Sequence, residues 1–197
     1  MKEETRQKRE NAIADAAYAV LAEKGFAGTS MLAVARRAKA SNETMYRWYG
    51  DKLGLFRALI VANAADVKAL LEQSFTTDQA PLDVLSDVGP VLLGLLVSDR
   101  AIALNRAAAA DASGALGEVL TQAGRETIAP LVADVIRRAL EVQNVQATRD
   151  DVALYLDLLV GDLQIRRAIG ALGPLSKQDI QDRADLALVR FRALMSV

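Results

Sequence analysis

The sequence contains no cysteine and no histidine in 197 residues. Without cysteine there is no disulfide framework, no thiolate zinc site and no cysteine nucleophile. Without histidine the commonest general base and the commonest transition-metal ligand are missing too. The patterns G-x-S-x-G, G-x-G-x-x-G and the P-loop are also absent, so neither a nucleophile elbow nor a phosphate-cradling loop is legible. Aromatic residues make up only 5% of the chain. The longest unbroken apolar run, Gly89 to Val97, is far short of the roughly 20 residues that span a bilayer. The opening MKEETRQKRE is charged and lacks the apolar stretch of a secretory signal. These absences lead us to expect a soluble, cytoplasmic protein with no cofactor, no metal and no membrane partner, and not an enzyme.

Apolar residues account for 52% of the chain and charged residues for 25%. That is enough to bury a core, and it excludes a disordered chain. Lys+Arg number 24 and Asp+Glu 25, but they are unevenly spread. Residues 1–57 hold 11 basic and 7 acidic side chains, so residues 58–197 hold the remaining 13 and 18. A basic first quarter on an acidic remainder suggests that one end meets a polyanion. Ordinary surface scatter would give the same imbalance, so charge alone does not decide the matter.

Nearly every segment reads as helix. Ile13, Ala16, Ala17, Val20 and Leu21 follow the one-sided helical spacing. Gly25 is placed to stop that helix. Thr29 or Ser30 can cap a short helix facing inward through Met31, Val34, Ala35 and Ala38. Ser41 can cap a third, carrying Met45, Trp48 and Tyr49, and Asp51 a fourth that runs to about Phe75. TTDQAP (76–81) is the most break-like stretch. Beyond it the pattern predicts helices near 82–98, 99–112, 115–143, 149–172 and 177–195, with Pro130 marking a kink or a restart after Gly124. Thr148 with Asp151, and Ser176 with Asp179, fit capping boxes. No alternating strand pattern appears, and the fold class is all-α.

The last two helices are apolar on more than one face, which is hard to bury within one small chain. An isologous four-helix interface between two copies would account for it. Its expected residues are Tyr155, Leu158, Leu159 and Leu163 on one helix, and Ala184, Leu188, Phe191 and Met195 on the other. A large monomeric core is the alternative.

Residues 29–52 read TSMLAVARRAKASNETMYRWYGDK. Two short helices around a tight turn, the second polar and basic, describe a helix-turn-helix over about 29–48. In that motif the second helix enters the major groove. Asn42 suits adenine, Arg47 suits guanine, and Glu43 can accept from the cytosine amino group or exclude other bases. Ser30, Thr44, Tyr46, Trp48 and Lys52 offer donors for phosphate oxygens, joined by free amides near Ser30 and Ser41, and Thr29, Lys39 and Ser41 complete the expected DNA-binding set. Arg6, Lys8 and Arg9 could form an arm on the DNA, or a solvated tail.

The first 60 or so residues resemble the N-terminal domain of the tetracycline-repressor (TetR) family of transcriptional regulators. The resemblance rests on Ala16-Ala17 with Leu21, Glu23-Lys24-Gly25-Phe26, Thr29-Ser30, Val34-Ala35, Ala38, and Ser41 with Thr44, Tyr46, Tyr49 and Lys52. Two positions depart from the family pattern. Lys39 stands where a turn glycine is usual and sets a positive charge near the DNA, and Glu43 stands where a small residue is common. The resemblance implies a DNA-binding domain over 1–60, and a C-terminal helical domain over 61–197 that binds an effector and dimerises. The long fourth helix joins the two. It further implies a cytoplasmic homodimer that regulates transcription, most often a repressor, released from a palindromic operator on double-stranded DNA by a small-molecule effector. An activator, or a regulator without effector, is the alternative within the same fold. A helical-bundle enzyme and a purely structural bundle are the rival readings. Polar residues among apolar helical neighbours, namely Asn105, Arg106, Asp111, Tyr155 and Gln164, are the candidates for an effector pocket. Asp162 and Arg166 fit a surface pair, and Gly161 a close helix approach.

Overall fold

The computed structural model describes residues 2–196, with side chains from residue 4. All regular structure among the described residues is helical. The chain divides into two compact units, Met1–Ala62 with Ala103–Ala123, and Asn63–Ile102 with Gly124–Val197. The divisions fall inside α4 (Lys52–Ser74), α6 (Asp99–Ala109) and a π-helical turn (Thr121–Arg125), so a single cut at residue 60 misses one segment: residues 103–123 belong with the N-terminal unit.

In the first unit, α1 (Lys2–Gly28) buries the stripe Ile13, Ala16, Ala17, Val20 and Leu21. It breaks at Gly25, whose φ of 65° and ψ of 178° suit glycine alone. The chain beyond carries Phe26 edge-on to Phe56, with ring centroids 5.2 Å apart. Helix α2 (Met31–Ala38) starts where Ser30 Oγ accepts the Ala33 N–H at 3.2 Å. It ends at Lys39, which is left-handed with φ 52°, at a cost of roughly 1–2 kcal/mol for a residue with a Cβ. Helix α3 (Asn42–Tyr49) starts where Ser41 Oγ accepts the Thr44 N–H at 3.0 Å. Helix α4 (Lys52–Ser74) begins with Asp51 Oδ1 accepting the Gly54 N–H at 2.7 Å. Val34, Met45, Leu55 and Phe56 are fully buried in the core these helices share.

The later segment completes that core. Leu104 and Ala107 come from α6 (Asp99–Ala109), and Leu116 and Val119 from α7 (Ala115–Leu120). Asp111 organises the connection: its carboxylate accepts the Leu116 N–H at 3.0 Å and the Ser113 hydroxyl at 2.8 Å. These hydrogen bonds, the Leu116 amide first, hold its carboxyl below the usual range.

In the second unit, α5 (Pro81–Leu96), α8 (Glu126–Glu141), α9 (Arg149–Val160), α10 (Leu163–Ala168) and α11 (Lys177–Met195) enclose a second core. Tyr155 and Phe191 meet edge-on at 5.5 Å inside it. The Tyr155 hydroxyl donates to Leu85 O at 3.3 Å, and burial pushes its pKa up. Gly89 makes room for that hydroxyl, since a Cβ there would stand 2.9 Å from it. Both expected capping boxes, Thr148 with Asp151 and Ser176 with Asp179, are formed.

Two predicted helices are subdivided. The expected helix 149–172 breaks at Gly161, whose φ of 50° and ψ of −131° end α9. Arg183 from α11 fills the space beside it and donates to Leu159 O at 3.0 Å, so the close approach coincides with a helix end. The expected helix 115–143 widens into a π-helical turn, Thr121–Arg125, around Gly124. Pro130 then lies inside α8.

The tightest joint in the first unit is at Gly54, where a Cβ would stand 1.9 Å from the Tyr49 carbonyl oxygen. No side-chain rotation can relieve a clash with backbone. Gly54→Ala should therefore destabilise the first unit by about 2 kcal/mol or more, seen as an earlier thermal transition by circular dichroism. A melt identical to wild type would show that α3 and α4 can separate freely.

Candidate nucleic-acid interface

The exposed side of α3 is set by what its other side buries. Met45 is fully buried and Thr44 nearly so, while Trp48 and Tyr49 are half-buried against the core. With 100° between successive residues, this turns Asn42, Glu43, Tyr46 and Arg47 outward together, and all four are exposed. Asn42 and Tyr46 form one row along the helix and Glu43 and Arg47 the next. Arg47 Nη1 lies 3.6 Å from Glu43 Oε1.

Flanking groups differ in exposure and in the bonds they already make, Ser30 and Ser41 both serving as helix caps. Ser30, Ser41 and Lys39 are exposed. The Ser41 and Thr44 hydroxyls bond each other at 2.8 Å, so Thr44 faces inward more than a phosphate donor needs to. Thr29 is a clearer correction: it is buried, and its hydroxyl donates to Gly25 O at 2.7 Å to close the broken end of α1. Lys52 is half-buried and donates to Phe26 O at 3.0 Å, with its ammonium 4.0 Å from the centre of the Phe26 ring. That contact braces α4 against α1, a task the sequence did not reveal.

Trp48 packs between Tyr49, 6.3 Å away, and the Arg6 guanidinium, 5.6 Å from its ring centre. Arg6 also pairs with Glu10 at 2.9 Å and Lys8 with Glu4 at 2.8 Å. These residues belong to the helix α1, not to a loose arm. Tyr49 is pushed up in pKa, first by burial and then by Glu10, with Arg6 opposing. Arg37 pairs with Glu23 across α1 and α2.

The five residues expected to line an effector pocket are divided between the two units. Asn105, Arg106 and Asp111 lie in the first unit, and Tyr155 and Gln164 in the second. Asp111 is a helix cap, Tyr155 is core, and Gln164 donates to Leu96 O at 2.9 Å. A surface cleft of ≈ 350 Å³ in the second unit is lined by Arg137, Glu141 and residues 144–147, with none of the five.

The expected dimer residues also need revision. Tyr155, Leu159, Ala184 and Phe191 are buried within one copy of the chain, and Leu158, Leu163, Leu188 and Met195 are half-buried. On these last helices the large apolar side chains left exposed are Ile165 and Ile169, on α10 and its end, and Leu186, Val189 and Leu194 on α11. The sequence showed that these helices are apolar all round but not which face the monomer covers. Asp162 and Arg166 do pair on the surface, at 3.9 Å. Arg167, which was not singled out, is buried: it donates to Val97 O at 3.2 Å and to Asp99 at 2.5 Å. Its partners lie some 70 residues away in the sequence, so no local signal pointed to it.

Residues 13–59 match the family model described as bacterial regulatory proteins, tetR family. The HTH-type transcriptional regulator YdeS of Bacillus subtilis (strain 168) is 38% identical over 55 residues, 28% of each chain; the match thus covers well under two thirds of that relative. A TetR transcriptional regulator from Agrobacterium tumefaciens is 28% identical, with 94% of this chain and 93% of that one aligned at a TM-score of 0.68. The fold is shared by FadR of Bacillus subtilis, whose structure is a complex with stearoyl-CoA, at 15% identity, 91% and 96% coverage and a TM-score of 0.66. With the helix-turn-helix and its capped, outward-facing α3 in place, residues 13–59 form a DNA-binding domain of the type described as bacterial regulatory proteins, tetR family, on a chain whose fold is similar to that of a TetR transcriptional regulator.

Proposed function

We propose that this chain is a homodimeric, sequence-specific DNA-binding regulator of transcription, a cytoplasmic repressor released from a palindromic operator by a small-molecule effector. The observation that carries the reading is the outward row of Asn42, Glu43, Tyr46 and Arg47 on a helix pinned from behind by Met45. Asn42 and Arg47 have the donor and acceptor patterns that read adenine and guanine edges in the major groove. Ser30, Lys39, Ser41, Tyr46 and the helix N-terminal amides suit phosphate oxygens, which fix register without reading sequence. Lys52, Thr44 and Trp48 support this surface from the side and from behind.

Dimerisation is favoured by the exposed apolar side chains of α10 and α11, with Val189 63% and Ile169 69% exposed. A two-fold axis through such a patch buries it against itself. Two α3 helices then meet successive major grooves about 34 Å apart. Effector release is supported by the continuity of α4 and α6, each a single helix with residues in both units. A ligand that favours one arrangement of the units would change DNA affinity by about 5–150-fold, the usual range of such coupling. An apolar or amphipathic effector suits the apolar second core.

Genomic fragments retained by the purified protein at near-physiological salt should share a palindromic site. Retention without a common sequence would remove the base-reading role of α3. Arg47→Ala should lose about 1–3 kcal/mol at one base pair per half-site and leave the other positions unchanged; equal loss on every sequence would make Arg47 a phosphate contact only. Val189→Glu should halve the mass seen by light scattering and weaken operator binding. An unchanged dimer would place the interface elsewhere.

A further inference from the structure

The acid on the reading face has no counterpart in the general account of a basic helix meeting DNA. Among the four outward residues of α3, Asn42 and Tyr46 are neutral, and Glu43 and Arg47 cancel. The helix therefore offers no net positive charge to a polyanion. The two charged groups stand one turn apart with Arg47 Nη1 3.6 Å from Glu43 Oε1, and their side chains are 63% and 85% exposed. At that separation they attract without a formed hydrogen bond. Exposed pairs of this kind are weak, so the guanidinium is held near the carboxylate but not locked to it.

We propose that Glu43 is a specificity-determining residue that acts through Arg47: its carboxylate competes with DNA for the guanidinium, and gives it up where a cytosine amino group takes the carboxylate instead. This rests on the base-reading role of α3 proposed above. In the major groove a carboxylate meets phosphate potential on both sides, and its only good partners are exocyclic amino groups. A G·C pair presents guanine O6 and N7 as acceptors and cytosine N4 as a donor along one edge. There the pair separates, the guanidinium taking guanine and the carboxylate taking cytosine. Thymine O4 offers the carboxylate only another acceptor. An A·T pair also presents an amino group, adenine N6, but lacks the paired O6 and N7 acceptors that draw the guanidinium away; on unrelated sequence Glu43 therefore keeps Arg47, so Arg47 neutralises no phosphate and non-specific binding stays weak.

The test compares the full-length wild type with Glu43→Gln, Arg47→Ala and the double variant, each checked for an unchanged melt. Each protein selects from a random duplex library, and its affinity for a mixed-sequence 30-base-pair duplex is measured across salt. Wild type should enrich a site containing a G·C pair that Glu43→Gln no longer requires, a loss of about 5- to 150-fold in preference at that pair alone. Glu43→Gln should also bind the mixed-sequence duplex more tightly, with a log–log salt slope steeper by about 0.9, one additional phosphate neutralised. In the Arg47→Ala background the slope should not change on adding Glu43→Gln. Identical selected sites with Glu and Gln, or an equal slope change in both backgrounds, would overturn the proposal while leaving base reading intact. Failure of wild type to enrich any site would remove the base-reading role and this inference with it.

Discussion

The first unit depends on the close approach of α4 to the last turn of α3. The backbone of Gly54 passes so near the Tyr49 carbonyl that no side chain fits between them. The same turn is tied down by Asp51, which accepts the Gly54 N–H and whose own N–H donates to Tyr49 O at 2.9 Å. Lys52, the next residue, reaches back to the Phe26 carbonyl at the broken end of α1. Asp51, Lys52 and Gly54 thus fix the end of α3 to α4 and α4 to α1. A helix of only eight residues has little stability of its own. Its orientation is supplied by this joint and by Met45 beneath it.

The same core recruits a segment from far along the chain. Leu104, Ala107, Leu116, Val119 and Ala123 pack with Ile13, Leu55 and Phe56 in one cluster. Asp111 makes that possible by ending one helix and starting the next within a few residues. The division of the chain is therefore set by side-chain contacts and not by position along the sequence. Helix α4 contributes to both cores, with Phe56 and Val67 in separate clusters, while α6 contributes Leu104 and Ala107 to the first. A change in either helix is felt in the packing around α1 to α3.

Where local chemistry decides structure, the sequence was legible. Ser30, Ser41, Thr148 and Ser176 all cap the helices expected of them, because a short hydroxyl at a helix start satisfies an amide within three residues. The spacing of Ile13 to Leu21 likewise gave the buried stripe. Features that depend on distant partners were hidden. Thr29 looked like a phosphate donor until Gly25 O claimed its hydroxyl. Tyr155 and Phe191 looked equally suited to an interface, and only the packing of α5 against α11 places them inside. Gly161 was legible as a close approach but not as a break, since both follow from the missing Cβ. Arg167 was invisible for the same reason, because its partners Val97 and Asp99 lie some 70 residues away.

The charge asymmetry of the chain takes on a different meaning once α3 is seen to be neutral. The first 57 residues carry four more basic than acidic groups, yet the reading face contributes none of that excess. Attraction to phosphates must come from around the reading helix, from exposed groups such as Lys39 and Arg36 at the end of α2 and Lys24 near the end of α1. Lys39 illustrates the exchange. A glycine would relax its left-handed turn, but only a lysine adds a cation beside the groove at that point. Long-range attraction is thereby separated from base reading. The exposed cations that would steer the protein toward any duplex lie beside α3, and the pair on α3 proposed to discriminate among sequences carries no net charge. Such an arrangement lets the strength of non-specific binding and the ratio of specific to non-specific binding be set by different residues.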